Sequence, residues 1–332
     1  MLNNKKIVIT GGAGFIGSTL THALAKVDLN NEVVVIDNLS TGRIENIQDL
    51  IDNKKIEFFK NSITDLVLLQ KTFRGVDFVF HQAAVASVPK SVEDPITTHN
   101  VNVTGTLNVL LAARDNDVKK VVFSSSCAVY GNPPENQLPL KETTPPHPLS
   151  PYAASKLMGE YYCNVFSEVY DLSTVCLRYF NVYGPRQDPN GEYAAVIPKF
   201  INRVKGDKPL IIYGDGKQTR DFVFVDDVVN ANILLAEKEE TSSKIFNVAS
   251  GNDISINDLS ESIIEMDNGF GKNIEILYED FQPGDVRYSS ADISKIKMMG
   301  FKPECRLEDG LKKTIGYASK ATMTDVIPTA GV

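Results

Sequence analysis

The stretch 7–17 reads IVITGGAGFIG and leads from a short apolar segment directly into a glycine-rich turn. Gly12, Gly14 and Gly17 have the spacing GxGxxG, and Gly11 lies one position earlier. Residues without a Cβ let such a turn close tightly and let its backbone amides approach a pyrophosphate at the N-terminus of the next helix. A glycine-rich turn can also be purely structural. Here it follows a predicted strand and precedes a predicted helix, which favours a dinucleotide site.

Segments of apolar, β-forming residues alternate with stretches of helical spacing through the first half of the chain. The predicted strands are 7–10, 33–36, 56–59, 77–80, 121–124 and 174–177, and the predicted helices include 15–26, 102–114 and 152–169. Continuous apolar strands joined by helices indicate a parallel sheet that is covered on both faces. The fold class is therefore predicted as α/β, with a doubly wound parallel sheet of the Rossmann type and a smaller α/β substrate-binding lobe.

The character of the sequence changes near residue 180, beyond which short elements alternate with loops rich in glycine and proline. We predict a dinucleotide-binding Rossmann domain at 1–180, with a segment near 218–236 that returns to it. A smaller lobe that carries binding loops is predicted at 181–320. Residues 321–332 have little apolar periodicity and are interpreted as a mobile tail.

The 332-residue chain has a net charge of −8 and a pI near 5.2. This balance provides no electrostatic footprint for nucleic acid or an anionic membrane, so a small-molecule site is expected. The four cysteines show no CxxC spacing and the four histidines form no pair at metal-ligand spacing, so we expect neither a disulfide framework nor a metal site. No signal segment or membrane span is recognisable, and a reducing cytoplasm is the expected location.

Asp37 ends the second predicted strand, 20 residues beyond Gly17. A carboxylate at this place can accept hydrogen bonds from the adenosine ribose and repels a 2′-phosphate, which favours NAD over NADP. Arg43 lies close enough in sequence to leave NADP open. Asp37 can equally be the residue that opens the turn DNLS at 37–40, and this alternative is compatible with both cofactors.

Tyr152 and Lys156 are spaced i and i+4, so both lie on one face of a predicted helix. The pair alone is often a surface feature, but here it follows a dinucleotide fold and a serine run, 124–126, at the carboxyl end of an apolar strand. A neighbouring ammonium and the positive ring of a nicotinamide cofactor both favour the phenolate. We expect these two cations to bring the pKa of Tyr152 from about 10 to about 7, so that it acts as a general base towards a hydroxyl group.

This combination of motifs resembles the extended short-chain dehydrogenase/reductase family, and within it the UDP-hexose 4-epimerases, over residues 5 to about 318. The motifs that carry the resemblance are TGGAGFIG (10–17), DNLSTG (37–42), HQAA (81–84), SSS (124–126), YAASK (152–156), YFNVYG (179–184) and RDFV (220–223). The resemblance implies that Ser126 binds the sugar O4 beside Tyr152 and that Lys156 also holds the nicotinamide ribose. The implied catalytic residues are thus Tyr152, Lys156 and Ser126, with NAD as cofactor and a UDP-sugar as substrate.

The resemblance also assigns residues to the two ligands. Those for NAD are Gly11, Gly14, Phe15, Ile16, Asp37, Asn38, Ser40, Thr41, Gly42, Asn61, Ser62, Ile63, Gln82, Ala83, Ala84, Asn102, Ser124, Tyr152, Lys156 and Tyr179. Those for the nucleotide sugar are Ala86, Ser87, Ser125, Ser126, Asn181, Ile197, Tyr213, Arg220, Asp285 and Ser289. Asn61 departs from the family, which usually has an aspartate near the adenine, and its amide oxygen can still accept from the adenine amine. Gln282 replaces a frequent second phosphate arginine, so Arg220 or Arg287 is expected to bear more of that contact.

Cys127 and Ala128 follow the serine run where the related dehydratases and decarboxylating enzymes carry acids. Neither side chain can serve as a carboxylate acid or base, so the chemistry should stop at oxidation and reduction of C4, which is 4-epimerisation. In the stretch GDVRYSSAD (284–292), the resemblance places Ser289 beside the sugar C2 substituent, where a tyrosine would fill the space. Together with SVPKS (87–91), this favours UDP-N-acetylglucosamine and UDP-N-acetylgalactosamine as substrates.

Three further points stay open at this level. The same residues could serve UDP-glucose and UDP-galactose or a UDP-uronate. The fold could also belong to a non-catalytic NAD-binding regulator, although such proteins tend to lack the Tyr–Lys pair. The predicted helices 102–114 and 152–169 resemble the pair that forms a dimer interface in the family, so a homodimer is expected, but their apolar faces can equally belong to the core.

Overall fold

The computed structural model describes residues 2–189, 195–267, 274–281 and 286–324. Within these residues the strands are β1 (Lys6–Thr10), β2 (Glu32–Ile36), β3 (Ile56–Phe59), β4 (Phe78–His81), β5 (Lys120–Ser126), β6 (Thr174–Tyr179), β7 (Asn181–Tyr183), β8 (Leu210–Tyr213), β9 (Thr219–Phe224), β10 (Lys244–Val248), β11 (Asp253–Ser255), β12 (Ile276–Glu279) and β13 (Tyr288–Ser289). The α-helices are α1 (Phe15–Leu24), α2 (Gln48–Asp52), α3 (Leu66–Thr72), α4 (Val88–Glu93), α5 (Pro95–His99), α6 (Gly105–Asp115), α7 (Pro151–Tyr170), α8 (Val196–Lys205), α9 (Val225–Glu237), α10 (Ile256–Asp267), α11 (Ser294–Met298) and α12 (Leu307–Thr324).

A parallel sheet of seven strands, in the order β10-β6-β5-β4-β1-β2-β3, supports the site. The chain winds from β1 out to β3, then crosses to β4 on the other side of β1 and winds the opposite way to β6. The strands are apolar and buried because helices cover both faces. Ligands of such sheets bind beyond the carboxyl ends of the strands where the winding reverses, here between β1 and β4. The predicted doubly wound α/β fold is confirmed.

The segment that returns to this sheet extends further along the chain than the predicted segment near 218–236. Helix α9 packs against β5, β6 and α1. Strand β10 then pairs in parallel with β6 as the seventh strand. Six strands of the sheet are predicted from the sequence, but β10 is not, because its residues lie in the part of the chain attributed to the smaller lobe. We therefore propose the division at residue 180 with a returning segment that extends to residue 248.

The smaller lobe has an apolar core of its own, which includes Phe200, Ile212, Leu259 and Leu311. Strands β7, β11 and β13 all pair with β9, and β8 pairs with β12. This arrangement places Ser289 of β13 directly beside Arg220 of β9. The short strands therefore assemble residues that are far apart in sequence near the carboxyl end of β6.

Helix α12 continues to Thr324, so the first four residues of the predicted tail are helical. Alanine and methionine at 321 and 323 favour helix, which explains why the element does not stop at 320. Residues 325–332 lie outside the described part. None of the described helices is both long and apolar enough to cross a membrane. All four cysteines are free thiols, with Cys163 and Cys176 buried.

Candidate active site

A cleft of about 410 Å³ runs along the carboxyl ends of the strands, where the winding of the sheet reverses. We call it the sheet cleft. Most of the residues that the sequence assigns to NAD line it, namely Gly11, Gly14, Phe15, Ile16, Asp37, Asn38, Ser40, Thr41, Asn61, Ser62, Ile63, Gln82, Ala83, Ala84, Ser124, Tyr152, Lys156 and Tyr179. Ala86 and Ser125 line it as well, whereas Gly42 and Asn102 do not. Lys90, Thr97 and Val101 also face the cleft. Lys90 belongs to the SVPKS segment, whereas no motif in the sequence points to Thr97 or Val101.

The glycine-rich turn is packed so closely that glycine is required at several of its positions, each for a different reason. Gly11 has a φ of +71°, and a Cβ there would lie 2.6 Å from the backbone nitrogen of Ala83. A Cβ on Gly17 would lie 2.0 Å from the carbonyl oxygen of Gly11. Gly14 precedes α1 and caps it without a side chain, which leaves the helix N-terminus open. Backbone amides at an open helix N-terminus, reached through a wall without side chains, fit the pyrophosphate of a dinucleotide.

Asp37 ties the glycine-rich turn to the turn that follows β2. Its buried carboxylate accepts hydrogen bonds from the backbone nitrogens of Ala13, at 3.0 Å, and Leu39, at 2.8 Å. Burial raises the pKa of Asp37, and these two hydrogen bonds oppose the rise. A Cβ on Gly42 would lie 2.8 Å from the same carboxylate, so Gly42 provides clearance for Asp37. Arg43 pairs with Asp188 at 2.8 Å.

Asn102 lies in a π-helical turn between α5 and α6 and is buried. Its Oδ1 accepts from the backbone nitrogen of Val85 at 2.8 Å, and its Nδ2 donates to Ser155 Oγ at 2.9 Å and to the Val85 carbonyl at 3.1 Å. The side chain therefore positions the Val85 segment of the cleft wall, and the direct NAD contact expected from the sequence stays a prediction. Asn61 lines the cleft, but its Oδ1 accepts from the Ser62 nitrogen at 2.6 Å.

Polar side chains join the floor of the sheet cleft to more distant elements. Gln82 Nε2 donates to Tyr179 Oη at 3.1 Å, and Tyr179 Oη donates to Asn232 Oδ1 on α9 at 2.9 Å. His81 is buried between Thr10 and Thr106, and burial lowers its pKa to about 3. The imidazole is therefore neutral and holds β4 to β1 and α6. No sequence motif points to Asn232, because its segment is far along the chain from the cofactor motifs.

Tyr152 and Lys156 meet the serine run at the closed end of the cleft. Lys156 Nζ donates to the carbonyl oxygen of Ser124 at 2.7 Å and lies 6.0 Å from the centre of the Tyr152 ring. The Tyr152 hydroxyl is hydrogen-bonded to Ser126. Ser91 on α4 accepts from the Tyr152 backbone nitrogen at 3.1 Å and fixes the first turn of α7. The structure thus brings together the three predicted catalytic residues.

The chain by itself does not lower the pKa of Tyr152. Burial raises that pKa to about 12, and the hydrogen bond from Ser126 only moderates the rise. Burial also lowers the pKa of Lys156 to about 8, and its ammonium is directed at Ser124 rather than at the phenol. Positive charge from a ligand in the cleft would favour the phenolate. The expectation of a value near 7 includes the ring of a bound nicotinamide cofactor, so it stays a prediction.

Ser125 is held by an ion pair behind the catalytic residues. Its Oγ donates to Glu160 Oε1 at 2.5 Å, and both oxygens of Glu160 accept from Arg178, at 2.8 Å and 2.7 Å. Both charged side chains are only 2% exposed, so removing either one would leave an uncompensated buried charge. The Ser125 hydroxyl thus donates to the protein, and it can contact the substrate only as an acceptor. Glu160 lies four residues after Lys156, so the spacing 152, 156, 160 is a signal that could have revealed it.

A second cavity, of about 440 Å³, lies in the smaller lobe between α8 and β8. We call it the lobe cavity. Tyr213 and Arg220 line it, whereas Ile197 is buried without lining it. Gln218, Lys199 and Arg203 also line it, and the sequence gives no motif for them. The prediction for Asp285 falls outside the described residues, as does Gln282.

Arg287 forms an ion pair, which bears on its expected contact with the substrate phosphates. Its two terminal nitrogens donate to Asp215, at 2.6 Å and 2.9 Å. This bidentate pair lowers the pKa of Asp215. A contact from Arg287 to a phosphate would require breaking the pair, so Arg220 is the better placed of the two arginines.

Ser289 is paired with Arg220, a residue that lines the lobe cavity. It is 7% exposed and accepts a hydrogen bond from Asn181 Nδ2 at 3.4 Å. Cys127, which follows Ser126, is hydrogen-bonded to Ser289. Burial raises the pKa of Cys127 to about 11, so its thiol is neutral. Ser87 lines neither pocket, and its hydroxyl caps the start of α4 by accepting from the Lys90 nitrogen.

Comparisons with known proteins agree with this geometry. The chain matches the model of the NAD dependent epimerase/dehydratase family over residues 7–249. It is 42% identical to a putative UDP-glucose 4-epimerase of Methanocaldococcus jannaschii over 320 residues, which is 96% of this chain and 100% of the relative. It is also similar to a curated UDP-glucuronate 4-epimerase of Thermodesulfobacterium geofontis, at 35% identity with 94% and 96% of the two chains covered.

Solved structures show the same similarity in three dimensions. A UDP-N-acetylglucosamine 4-epimerase from Methanobrevibacter ruminantium, in complex with UDP-N-acetylmuramic acid, superposes with a TM-score of 0.90 at 43% identity and covers 96% of this chain and 99% of its own. The UDP-glucose 4-epimerase of Thermotoga maritima, with UDP-glucose, gives a TM-score of 0.89 at 39% identity with the same coverage. The resemblance to the epimerases of the extended short-chain dehydrogenase/reductase type is thereby confirmed. With its glycine-lined cleft and its Ser–Tyr–Lys arrangement, this chain belongs to the NAD-dependent epimerase/dehydratase family.

Proposed function

We propose that the protein is a UDP-sugar 4-epimerase that interconverts UDP-N-acetylglucosamine and UDP-N-acetylgalactosamine through a transient 4-keto sugar. The observation that carries this proposal is the meeting of Tyr152, Ser126 and Lys156 beside a residue pair, Cys127 and Ala128, that bears no carboxylate. The neutral thiol of Cys127 cannot move protons at C5 or C6 of a sugar near pH 7. With proton transfer at C5 and C6 excluded, the reaction that these residues can support is the one at C4.

The residues divide the work at C4 as follows. Ser126 holds O4 by a hydrogen bond, and Tyr152 removes the O4 proton and later returns it. NAD, when bound, would supply the hydride acceptor and donor for C4. Lys156, whose ammonium donates to the Ser124 carbonyl, holds the nicotinamide ribose near the phenol. The keto sugar must turn about its link to the diphosphate between the two steps, so the sugar pocket must leave room for that rotation.

The choice of sugar rests on Ser289. The residue lies next to Cys127 and Asn181 and therefore beside the position that the reacting sugar would occupy. Serine is smaller than tyrosine by an aromatic ring, and the space it leaves suits a 2-acetamido group. Overall similarity does not choose the sugar, because relatives with different sugar names are about equally similar to this chain.

The test is an epimerisation assay with purified protein, a panel of UDP-sugars and no added cofactor. Ser289→Tyr should abolish turnover of the acetamido sugars and spare UDP-galactose, because only the C2 substituent meets the new ring. Ser289→Ala is the matched control and should keep the wild-type preference. Equal loss on both substrates, or no loss on either, would disprove the role of Ser289. If the wild type turns over UDP-glucose or a UDP-uronate fastest, the proposed sugar is wrong while the reaction stands.

A regulator with the same fold would bind NAD without reducing it. Adding substrate to the protein should produce the absorbance of bound NADH at low amplitude, because the keto intermediate is transient. No such signal, together with no turnover of any UDP-sugar, would favour the regulator.

We also propose a homodimer. Met158, Tyr161, Val165 and Val169 form an apolar stripe on α7, and each is between 43% and 64% exposed. Helix α6, in contrast, buries most of its apolar side chains in the core. A soluble chain rarely leaves such a stripe in water. Val165→Glu should therefore convert the protein to a monomer in light scattering, whereas a wild type that is already monomeric would contradict the proposal.

A further inference from the structure

Gln218 is the residue just before β9, and it carries a polar atom without a partner. Its side chain lines the lobe cavity together with Tyr213 and Arg220 and is 5% exposed. Its Nε2 donates to the carbonyl oxygen of Tyr213 at 2.7 Å. Its Oε1 is buried and has no hydrogen-bond donor among the described residues.

The chemistry of the amide fixes its orientation. The Tyr213 carbonyl can only accept, so the nitrogen of the Gln218 amide must face it. The oxygen is therefore the atom left over, and it can only accept. Buried acceptors in folded proteins nearly always have a donor, because leaving one unpaired sacrifices its hydrogen bonds to water. Because Gln218 lines the lobe cavity, an unpaired buried oxygen on its side chain indicates that the donor comes from the ligand.

The proposed substrate supplies one suitable donor. Uracil carries a single ring N–H available for recognition, at N3 between its two carbonyl groups, whereas the N3 of cytosine is an acceptor. Arg220 in the same cavity suits the diphosphate of the same ligand. We propose that Gln218 is a specificity-determining residue whose Oε1 accepts the N3–H of uracil and thereby selects uridine over cytidine nucleotides. This inference rests on the proposed UDP-sugar function.

Two other buried oxygens also lack donors among the described residues, and the residues that carry them do not line the lobe cavity. They are Gln187 Oε1 and Thr219 Oγ1. Thr219 is adjacent to Gln218 in sequence and serves as the matched control. Thr219→Val removes an unpartnered hydroxyl of similar size and leaves the cavity lining unchanged.

The experiment measures binding of UDP and CDP to the NAD-loaded protein by calorimetry, alongside kcat and KM for the preferred UDP-sugar. Gln218→Met should weaken UDP binding about ten-fold, which is the value of one neutral hydrogen bond. CDP binding should change little, so the preference for UDP over CDP should fall by about the same factor. KM should rise while kcat stays nearly constant, and Thr219→Val should change neither the preference nor KM.

N3-methyl-UDP tests the same contact without any substitution. The methyl group removes the donor, so wild-type protein should bind it at least ten-fold more weakly than UDP. Equal binding of UDP and N3-methyl-UDP, or an unchanged preference in a folded, NAD-loaded Gln218→Met protein, would overturn the role of Gln218. Both results can occur in an enzyme that turns over UDP-sugars normally. Absence of turnover in the wild type would instead contradict the proposed function.

Discussion

The sheet cleft and the lobe cavity differ in what lines them. Around the cleft entrance the wall is backbone, exposed because Gly11 and Gly17 carry no side chain. The cavity is lined by polar and charged side chains such as Gln218 and Arg220. Adding a Cβ to a glycine should therefore impair ligand binding in the sheet cleft, whereas removing polar atoms should impair it in the lobe cavity. Between the two lie Tyr152 and Ser126, whose role depends on both ligands.

The largest effect is expected where the two regions meet. Tyr152→Phe removes the only proposed proton acceptor at O4 and should lower turnover by a factor on the order of 10² or more, with NAD content unchanged. Tyr161→Phe, on the exposed side of the same helix, is the control and should leave turnover intact. Near-native turnover of the Tyr152 variant in the epimerisation assay would show that another group is the base.

Gly17→Ala tests whether the shape of the sheet cleft depends on the absence of a Cβ at this glycine. The new Cβ would lie 2.0 Å from the Gly11 carbonyl oxygen, so the turn must shift away from its closed form. We expect a loss of about 1–3 kcal/mol in the free energy of unfolding and release of NAD during purification. Gly316→Ala, which has open space around its Cβ position, should be neutral or slightly stabilising. Urea unfolding and NAD content measure both, and retained NAD in the Gly17 variant would contradict the steric argument.

Lys156 gives the cofactor-free protein a predictable pH dependence. Its pKa falls from 10.5 to about 8 because of burial, so the unfolded chain holds the proton more tightly than the folded one. Stability should therefore rise with pH from about 8 towards 10.5, by up to roughly 3 kcal/mol, and be lost as pH falls through 8. Lys156→Met should remove this rise. Parallel unfolding curves of the two proteins across pH 7–10 would refute the buried, easily deprotonated lysine.

Asp37 is expected to show the smallest of these effects, because its carboxylate has a structural role as well. Asp37→Ala should weaken NAD binding about ten-fold and weaken NADP binding less. Asp37→Asn keeps the size and should reduce mainly the preference between the cofactors. Unchanged affinities for both cofactors, measured by fluorescence titration, would leave Asp37 only its hydrogen bonds to Ala13 and Leu39.

The sequence predicts the sheet cleft well for a physical reason. Steric requirements of the backbone leave local marks, such as the glycines of 11–17 and the spacing of Tyr152 and Lys156 on one helix. The spacing 152, 156, 160 marks Glu160 but not its partner, because the packing of α7 on β6 brings Arg178 to it.

The other differences between the sequence-based predictions and the structure arise from the surroundings of a residue rather than from its type. The rise that burial causes in the Tyr152 pKa of the ligand-free protein cannot be read from the YxxxK spacing. Gln218 was overlooked because its significance lies in a hydrogen bond that the protein does not make. Neither property belongs to a short segment of sequence.

The four free thiols have a practical consequence for measuring how the catalytic helix moves. Cys163 on α7 and Cys176 on β6 are 1% and 3% exposed, so an alkylating reagent can reach them only when the helix separates from the sheet. Cys127 is protected differently, since its raised pKa keeps it protonated and slow to react at neutral pH. The rate at which the two buried thiols are labelled in native protein thus reports the free energy of opening the α7–β6 contact. The chain contains its own probe of local unfolding beneath the active site, and no residue has to be added to use it.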